Sequence, residues 1–460
     1  MKKIITLFLL FAITSIQFFS LSFGYPKNIH ESKSISTSFN LLMICPAKYQ
    51  TLSQTLIDHK NELSITATLK TTEYIFENYP GRDNQEKIKY CIKEAYDTSN
   101  ISFVLLLGGF KDIPVRYIHN NDEFEFFKDY KDLYFISDLY YADLYDKHGM
   151  FQTWDTNEDG IYGEWNGSSA QDYNLSLTPE VALGRLPCSN RFQVKIMINK
   201  IIDYETSPKD DTWFNRFVVA GGDTYSEAVD SKYVGPKYNL YEGEKITAEA
   251  VEIMSEFEAI KLWGSTETLS EISLLREITT GCGFLYLSGH GNAGSWVTYP
   301  PNRNEEIGRL TNLLIPFLRN RNKLPITISG GCLNSQFDVH PSRIFQNPYY
   351  YSTWRYKCWS WMLTSLPYGG SIATIGNTHL SWMDIEFGGG GSNWLELQFF
   401  KEYVNGTTTL GNIWKNAITS YVETFPIDWD TPSGSTSSID AKTVQQWVLI
   451  GDPTLILKPY

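Results

Sequence analysis

Phe284-Leu-Tyr-Leu-Ser-Gly-His-Gly291 and Pro325-Ile-Thr-Ile-Ser-Gly-Gly-Cys332 share one plan: a short apolar run that breaks at glycine. A continuous apolar run of this length, bounded by turn residues, predicts a strand buried on both faces, as in parallel sheets. The plan recurs in Phe39-Asn-Leu-Leu-Met-Ile-Cys45 before Pro46, in Phe103-Val-Leu-Leu-Leu107 before Gly108-Gly109 and in Phe217-Val-Val-Ala220 before Gly221-Gly222-Asp223. It recurs again in Ser371-Ile-Ala-Thr-Ile375 before Gly376-Asn377 and in Trp447-Val-Leu-Ile450 before Gly451-Asp452-Pro453. Apolar residues at helical spacing around 85–96 and 248–257 predict helices between the strands. Strands alternating with helices make the class α/β with mostly parallel sheets. The pattern runs twice, over 38–210 and 211–460, which predicts two stacked α/β subdomains. Residues 25–37 read as a linker or short pro-segment, and Ser433–Ser438 as a loop.

The composition narrows the function. Of 460 residues, 42% are hydrophobic and 20% charged, a globular balance. Lys2 and Lys3 followed by an apolar stretch from Ile4 to Phe19, with Ser22 and Gly24 beyond, read as a signal peptide over 1–24. An N-terminal membrane anchor is the other reading, but Thr14, Ser15 and Gln17 interrupt the stretch short of a ~20-residue span. The expectation is a secreted, extracellular protein with no membrane insertion after signal removal. Losing Lys2 and Lys3 takes the formal net charge from −13 to −15. So acidic a chain argues against nucleic-acid partners. The six cysteines are too sparse for a disulfide scaffold. If Cys332 is kept for chemistry, the other five cannot all pair, and Cys282, in an apolar run, is the expected buried thiol.

In open α/β sheets ligands bind beyond the carboxyl ends of strands. His290 and Cys332 each fall just past such an end, about forty residues apart. One strand–helix–strand unit fits that spacing and would make the two strands neighbours. A thiol near pKa ~8.5 is only partly ionised at neutral pH, and an imidazole beside it can take its proton and later protonate a leaving amine. Backbone N–H groups of Gly291 and Cys332 could face a developing oxyanion. The bland reading is a buried cysteine and a capping histidine. Ser288 and Ser329 are not in the GxSxG turn that a serine hydrolase of this class requires.

At these residues the chain resembles the gingipain-type cysteine peptidases, of the wider group that includes caspases and legumains. The resemblance extends to Leu105-Leu-Leu-Gly-Gly-Phe-Lys-Asp-Ile-Pro114, Asp138-Leu-Tyr-Tyr-Ala-Asp143, Pro179-Glu-Val-Ala-Leu-Gly-Arg-Leu-Pro187 and Gly451-Asp-Pro-Thr-Leu-Ile-Leu457, in the family's order. It implies a caspase-like three-layer sandwich and a cysteine endopeptidase acting on proteins or peptides, with no organic cofactor. Cys332 would be the nucleophile and His290 the acid–base partner. A supporting carboxylate upstream would be Glu242 or Glu244, between which the sequence does not choose. Trp382 would line the pocket for the residue before the cut. Glu386 would lie at its base and select Lys or Arg. A non-catalytic secreted binding protein that keeps the fold is the alternative.

Asp155-Thr-Asn157-Glu-Asp159-Gly160-Ile161 has the alternating oxygen ligands and turn glycine of the first half of an EF-hand loop. It departs where the loop's twelfth position is Asn166 and the acid, Glu164, comes early. The expectation is a structural calcium ion on Asp155, Asn157, Asp159, Glu164 and the Ile161 carbonyl, against a solvated acidic turn.

Overall fold

Strands whose side chains are buried on both faces need cover on both sides, and the fold supplies it. The computed structural model describes residues 40–121, 134–207, 211–224, 241–339, 357–384 and 389–460. The expected signal peptide and linker lie outside these residues, as does Glu386. The strands are β1 (Leu41–Cys45), β2 (Ala67–Thr71), β3 (Phe103–Leu107), β4 (Arg116–His119), β5 (Tyr134–Ser137), β6 (Ala182–Leu186), β7 (Arg216–Gly221) and β8 (Glu258–Trp263). They continue with β9 (Phe284–Leu287), β10 (His290–Asn292), β11 (Ser295–Thr298), β12 (Ile307–Thr311), β13 (Ile326–Ser329), β14 (Ala373–Asn377) and β15 (Trp447–Ile450).

Ten of them form one sheet in the order β2-β1-β3-β6-β15-β14-β13-β9-β7-β8. Every pairing is parallel except β14 with β15. Side chains alternate across the sheet with period two, and the packing follows. Phe217, Val219, Phe284 and Tyr286 enter one core, with Ile246, Ala250, Leu395, Phe399 and Phe400 from the helices Glu242–Ile253 and Ser392–Val404. Val218, Ala220, Leu285 and Leu287 enter a second, with Leu274, Ile278, Trp359 and Leu363 from the helices Glu271–Thr280 and Trp359–Thr364. This is the three-layer α/β sandwich.

The two halves of the chain meet edge to edge. β2, β1, β3 and β6 come from the first half and the other six strands from the second; β6 joins β15 at the pair Arg185–Ile450. Gly184 allows that approach, because a Cβ there would collide with the Gly451 carbonyl. Arg185 is fully buried and forks onto Asp138 at 2.6 and 2.7 Å. Asp452, next in the Gly-Asp-Pro segment, pairs with buried Lys60 at 2.8 Å.

Three expectations are corrected. Between His290 and Cys332 the connection is not a helix: β10, β11 and β12 form a small antiparallel sheet, followed by a 3₁₀ turn at Ile315–Phe317. The helix expected from 248 begins at Glu242, where two acidic residues in its first turn suit the positive end of the helix dipole. The serine-rich stretch is not a loop throughout, since Ser435 caps the helix Thr436–Gln446 by accepting from the Ser438 N–H. That helix has little apolar periodicity, so its cap was its main signal. Among the described residues, no helix is long and apolar enough to cross a membrane.

Candidate active site

β9 and β13 lie side by side in parallel register, Phe284 opposite Ile326 and Leu287 opposite Ser329. His290 and Cys332 each stand three residues beyond the last pair, so the two chains leave the sheet at the same level. The ladder continues past the strands, with Ser288 N–H on the Ala220 carbonyl at 2.9 Å and Gly330 N–H on the Leu287 carbonyl at 2.8 Å. The turns then touch: a Cβ on Gly331 would stand 3.1 Å from the Gly291 Cα. Glycine at 331 is required by close packing rather than by backbone conformation, most of all by Asn334 Oδ1, which a Cβ would overlap.

Asn334 fastens the two turns together. Its Oδ1 accepts from the Ser329 hydroxyl at 2.7 Å, and its Nδ2 donates to the carbonyls of Asn292 at 2.7 Å and Ser295 at 2.9 Å. It is fully buried. Leu333, between it and Cys332, holds φ at 61°, a left-handed conformation that costs a branched residue on the order of 1–3 kcal/mol. Its N–H donates to the His379 carbonyl at 3.0 Å.

All six cysteines are free thiols; Cys332 is half-buried and the other five, Cys282 included, are buried. The Ser381 N–H donates to the Cys332 sulfur at 3.4 Å. Burial pushes the thiol up from its ordinary value, against the pull of the Ser381 N–H and the charge of Lys442. Burial pushes His290 down, against the Thr224 carbonyl and the charge of Glu306. The imidazole Nε2 meets the Thr224 carbonyl. A carbonyl only accepts, which assigns the hydrogen to Nε2 and makes Nδ1 the basic nitrogen of the neutral ring.

The two candidate carboxylates separate. Glu242 accepts from the Thr224 N–H at 3.0 Å, so it holds the peptide segment whose carbonyl meets His290. Glu244 accepts from the Ser265 N–H at 2.7 Å and hydroxyl at 2.6 Å, on the loop after β8. Gly243 between them brings the helix start onto the strand ends, where a Cβ would stand 2.8 Å from the Ser288 carbonyl.

Trp382 is half-buried, next to the residue whose N–H meets the Cys332 sulfur. It lines a cavity of about 270 Å³ together with Asp384, Gly390, Thr436, Ile439 and Asp440. Asp440 accepts from the Tyr421 hydroxyl at 2.6 Å, and burial raises its carboxyl above the usual range.

The acidic loop lies in the first half of the chain, the half without His290 and Cys332. Asp155 accepts from Arg82 at 2.6 Å and from the Asp159 and Gly160 N–H groups, both at 3.1 Å. Asp159 accepts from the Ile161 N–H at 2.8 Å, and Asn157 donates to Asp159 at 2.9 Å. Among the described residues, no three His, Cys, Asp or Glu side chains are gathered as a metal site. The loop does carry mutually unfavourable charge. Glu164 is pushed up by burial and by Asp159, and Asp172 to about 6 by burial with Asp155 adding to it. Carboxylate oxygens are the donor type a hard cation takes, but in this arrangement they are not gathered around one point.

The groups that sequence reasoning missed are Thr224, Asn334 and Ser381. Two act through backbone atoms, which every residue carries, and only the position of Asn334, two after the cysteine, could have drawn notice.

The profile of peptidase family C25 matches residues 34–458. This chain belongs to peptidase family C25. Gingipain R2 of Porphyromonas gingivalis strain W83 is 21% identical over 426 residues, which is 91% of this chain and 46% of that protein. The C25 chain thus spans about half the length of that relative. An uncharacterized protein of Archaeoglobus fulgidus is 21% identical over 341 residues, covering 71% of this chain and 72% of its own length. The crystal structure of the Arg-specific cysteine proteinase gingipain R superposes with a TM-score of 0.61 at 17% identity, covering 93% of this chain and 79% of that one. That likeness establishes the caspase-like fold of the C25 chain.

Proposed function

We propose that this protein is a secreted cysteine endopeptidase working through Cys332 and His290. The observation that supports this most is the shared register of β9 and β13, which sends a His-Gly turn and a Gly-Cys turn off the sheet at one level and into contact. In the proposed sequence Nδ1 of His290 takes the thiol proton, and the Cys332 sulfur attacks the scissile carbonyl. Gly291 and Cys332 amides receive the oxyanion, the imidazolium gives its proton to the departing amine, and water hydrolyses the thioester. Glu242 serves this indirectly, by holding the Thr224 segment that fixes the ring.

Trp382 and the cavity beside it would receive the residue before the cut. The carboxylates of Asp384 and Asp440 in its wall support selection of Lys or Arg, to which Glu386, outside the described residues, would add. Calcium would be held by Asp155, Asn157, Asp159, Glu164 and the Ile161 carbonyl, and would supply charge neutralisation to that loop, not chemistry. The basic start and apolar stretch at the N-terminus support export.

Hydrolysis of a peptide library varied at the residue before the cut, with calcium present, tests the reading. Activity should depend on both His290 and Cys332 and favour Lys or Arg. Absence of turnover in the intact-site protein, including after trial proteolytic activation, would favour the binding-protein alternative.

A further inference from the structure

A carboxyl group that the catalytic sequence does not use lies directly behind the Cys332 turn. Glu396 is on the helix Ser392–Val404 and is 2% exposed. Its Oε2 accepts from the Tyr286 hydroxyl at 2.5 Å. Tyr286 is on β9, four residues before His290. Both carboxyl oxygens lie beside Gly330, two residues before Cys332; a Cβ there would stand 2.8 and 3.1 Å from them. Glu396 therefore touches β9, which leads to His290, and the turn that leads from β13 to Cys332.

Among the described residues, no cation acts on its carboxyl. Burial dominates its titration, and the Tyr286 hydroxyl is the one opposing influence. On the neighbouring elements, Glu249 of the helix Glu242–Ile253 acts on Tyr286. Lys442 of the helix Thr436–Gln446 acts on Cys332, where Glu396 acts in the opposite sense. A buried carboxylate without a cation is costly, so the group keeps its proton. It is pushed up to about 8, so the proton is held at neutral pH and lost in mild alkali.

We infer that Glu396 is a positioning residue for the Cys332 chemistry, a neutral acid that braces Tyr286 and Gly330 and, once ionised, opposes formation of the thiolate. This rests on the proposed peptidase reading for its role in turnover, but its effect on the thiol stands apart from that reading. As a neutral acid it ties β9 to the turn after β13 without placing charge near the sulfur. As an anion it raises the thiol further and disfavours the oxyanion, so activity should fail in mild alkali, where a simple thiol becomes more reactive.

The test measures the iodoacetamide alkylation rate of Cys332, with Cys332→Ala as blank, and kcat/KM, both from about pH 6 to 10. Wild type is compared with Glu396→Gln, which cannot ionise, and with Tyr286→Phe, which removes the bond that favours the anion. Glu396→Gln should keep near-neutral activity within about threefold, alkylate about threefold or more faster near pH 9, and move the alkaline fall in kcat/KM upward by about one unit. Tyr286→Phe should move it in the same direction. A purely structural role would lower both rates without moving either profile. Alkylation and kcat/KM profiles that coincide with wild type in both variants would overturn the inference. If the wild type cleaves no peptide, the alkylation profiles alone decide it, and only the peptidase reading falls.

Discussion

Asn334→Ala removes three hydrogen bonds, two of them buried, at the point where the two turns are fastened. Each such bond contributes about 1 kcal/mol net, and a buried carbonyl left without a donor costs about 1–3 kcal/mol. Three bonds at about 1 kcal/mol each, with about 1 kcal/mol more for the buried Ser295 carbonyl, put the loss at about 4 kcal/mol. An unfolding entropy of about 2.1 cal/mol/K per residue gives about 0.9 kcal/mol/K for a chain of this size, so the melting temperature should fall by about 4 °C. Differential scanning fluorimetry in a Cys332→Ala background, which prevents self-cleavage, measures the shift. Asn334→Asp keeps the size but presents an acceptor to two carbonyls, and should be at least as damaging. In the active background either change should lower kcat by about 100-fold, because a misplacement of about 1 Å between reacting groups suffices for that. A melting shift under about 1 °C in both variants would refute the clamp.

Lys200 is buried with its ammonium on the carbonyls of Thr364 at 2.9 Å, Gly369 at 3.0 Å and Ser371 at 2.9 Å, so Lys200→Met, which takes a donor from three carbonyls, should cost about 3 kcal/mol. Burial pushes Lys200 down to about 7, so the unfolded chain binds the extra proton between that value and 10.5. Its contribution to wild-type stability therefore rises with pH across that window, and chemical denaturation at several pH values should show the rise absent in Lys200→Met. For the acidic loop, a chelator should lower the melting temperature of the calcium-loaded protein, and Asp159→Asn should abolish the difference; no shift on chelation would exclude the ion. In the pocket, Asp440→Asn should raise KM for peptides with Lys or Arg before the cut more than for others, as steady-state kinetics would show.

Much of the sheet was legible because doubly buried strands must be continuously apolar and must break where the chain turns. That rule located β9 and β13 and, through them, His290 and Cys332. It did not reveal that β15 runs antiparallel and welds the halves into one sheet, because the strand's sequence is the same in either direction. The sequence does not choose between Glu242 and Glu244, because which carboxylate faces Thr224 depends on the exact start of the helix. Once the helix begins at Glu242, residues two apart point to nearly opposite sides of it, one to Thr224 and the other to Ser265. Glu396 sits within an ordinary-looking helical run, and only its position behind Gly330 distinguishes it.

The central claim is that Cys332 is the nucleophile. It is most directly tested by brief alkylation of the native protein, with mass mapping of all six cysteines and a peptide-hydrolysis assay on the same sample. Cys332 is half-buried and the other five thiols are buried. The account predicts modification at Cys332 first, loss of hydrolysis in proportion to it, and no hydrolysis by Cys332→Ala. Hydrolysis that survives full modification of Cys332, or persists in Cys332→Ala, would contradict it.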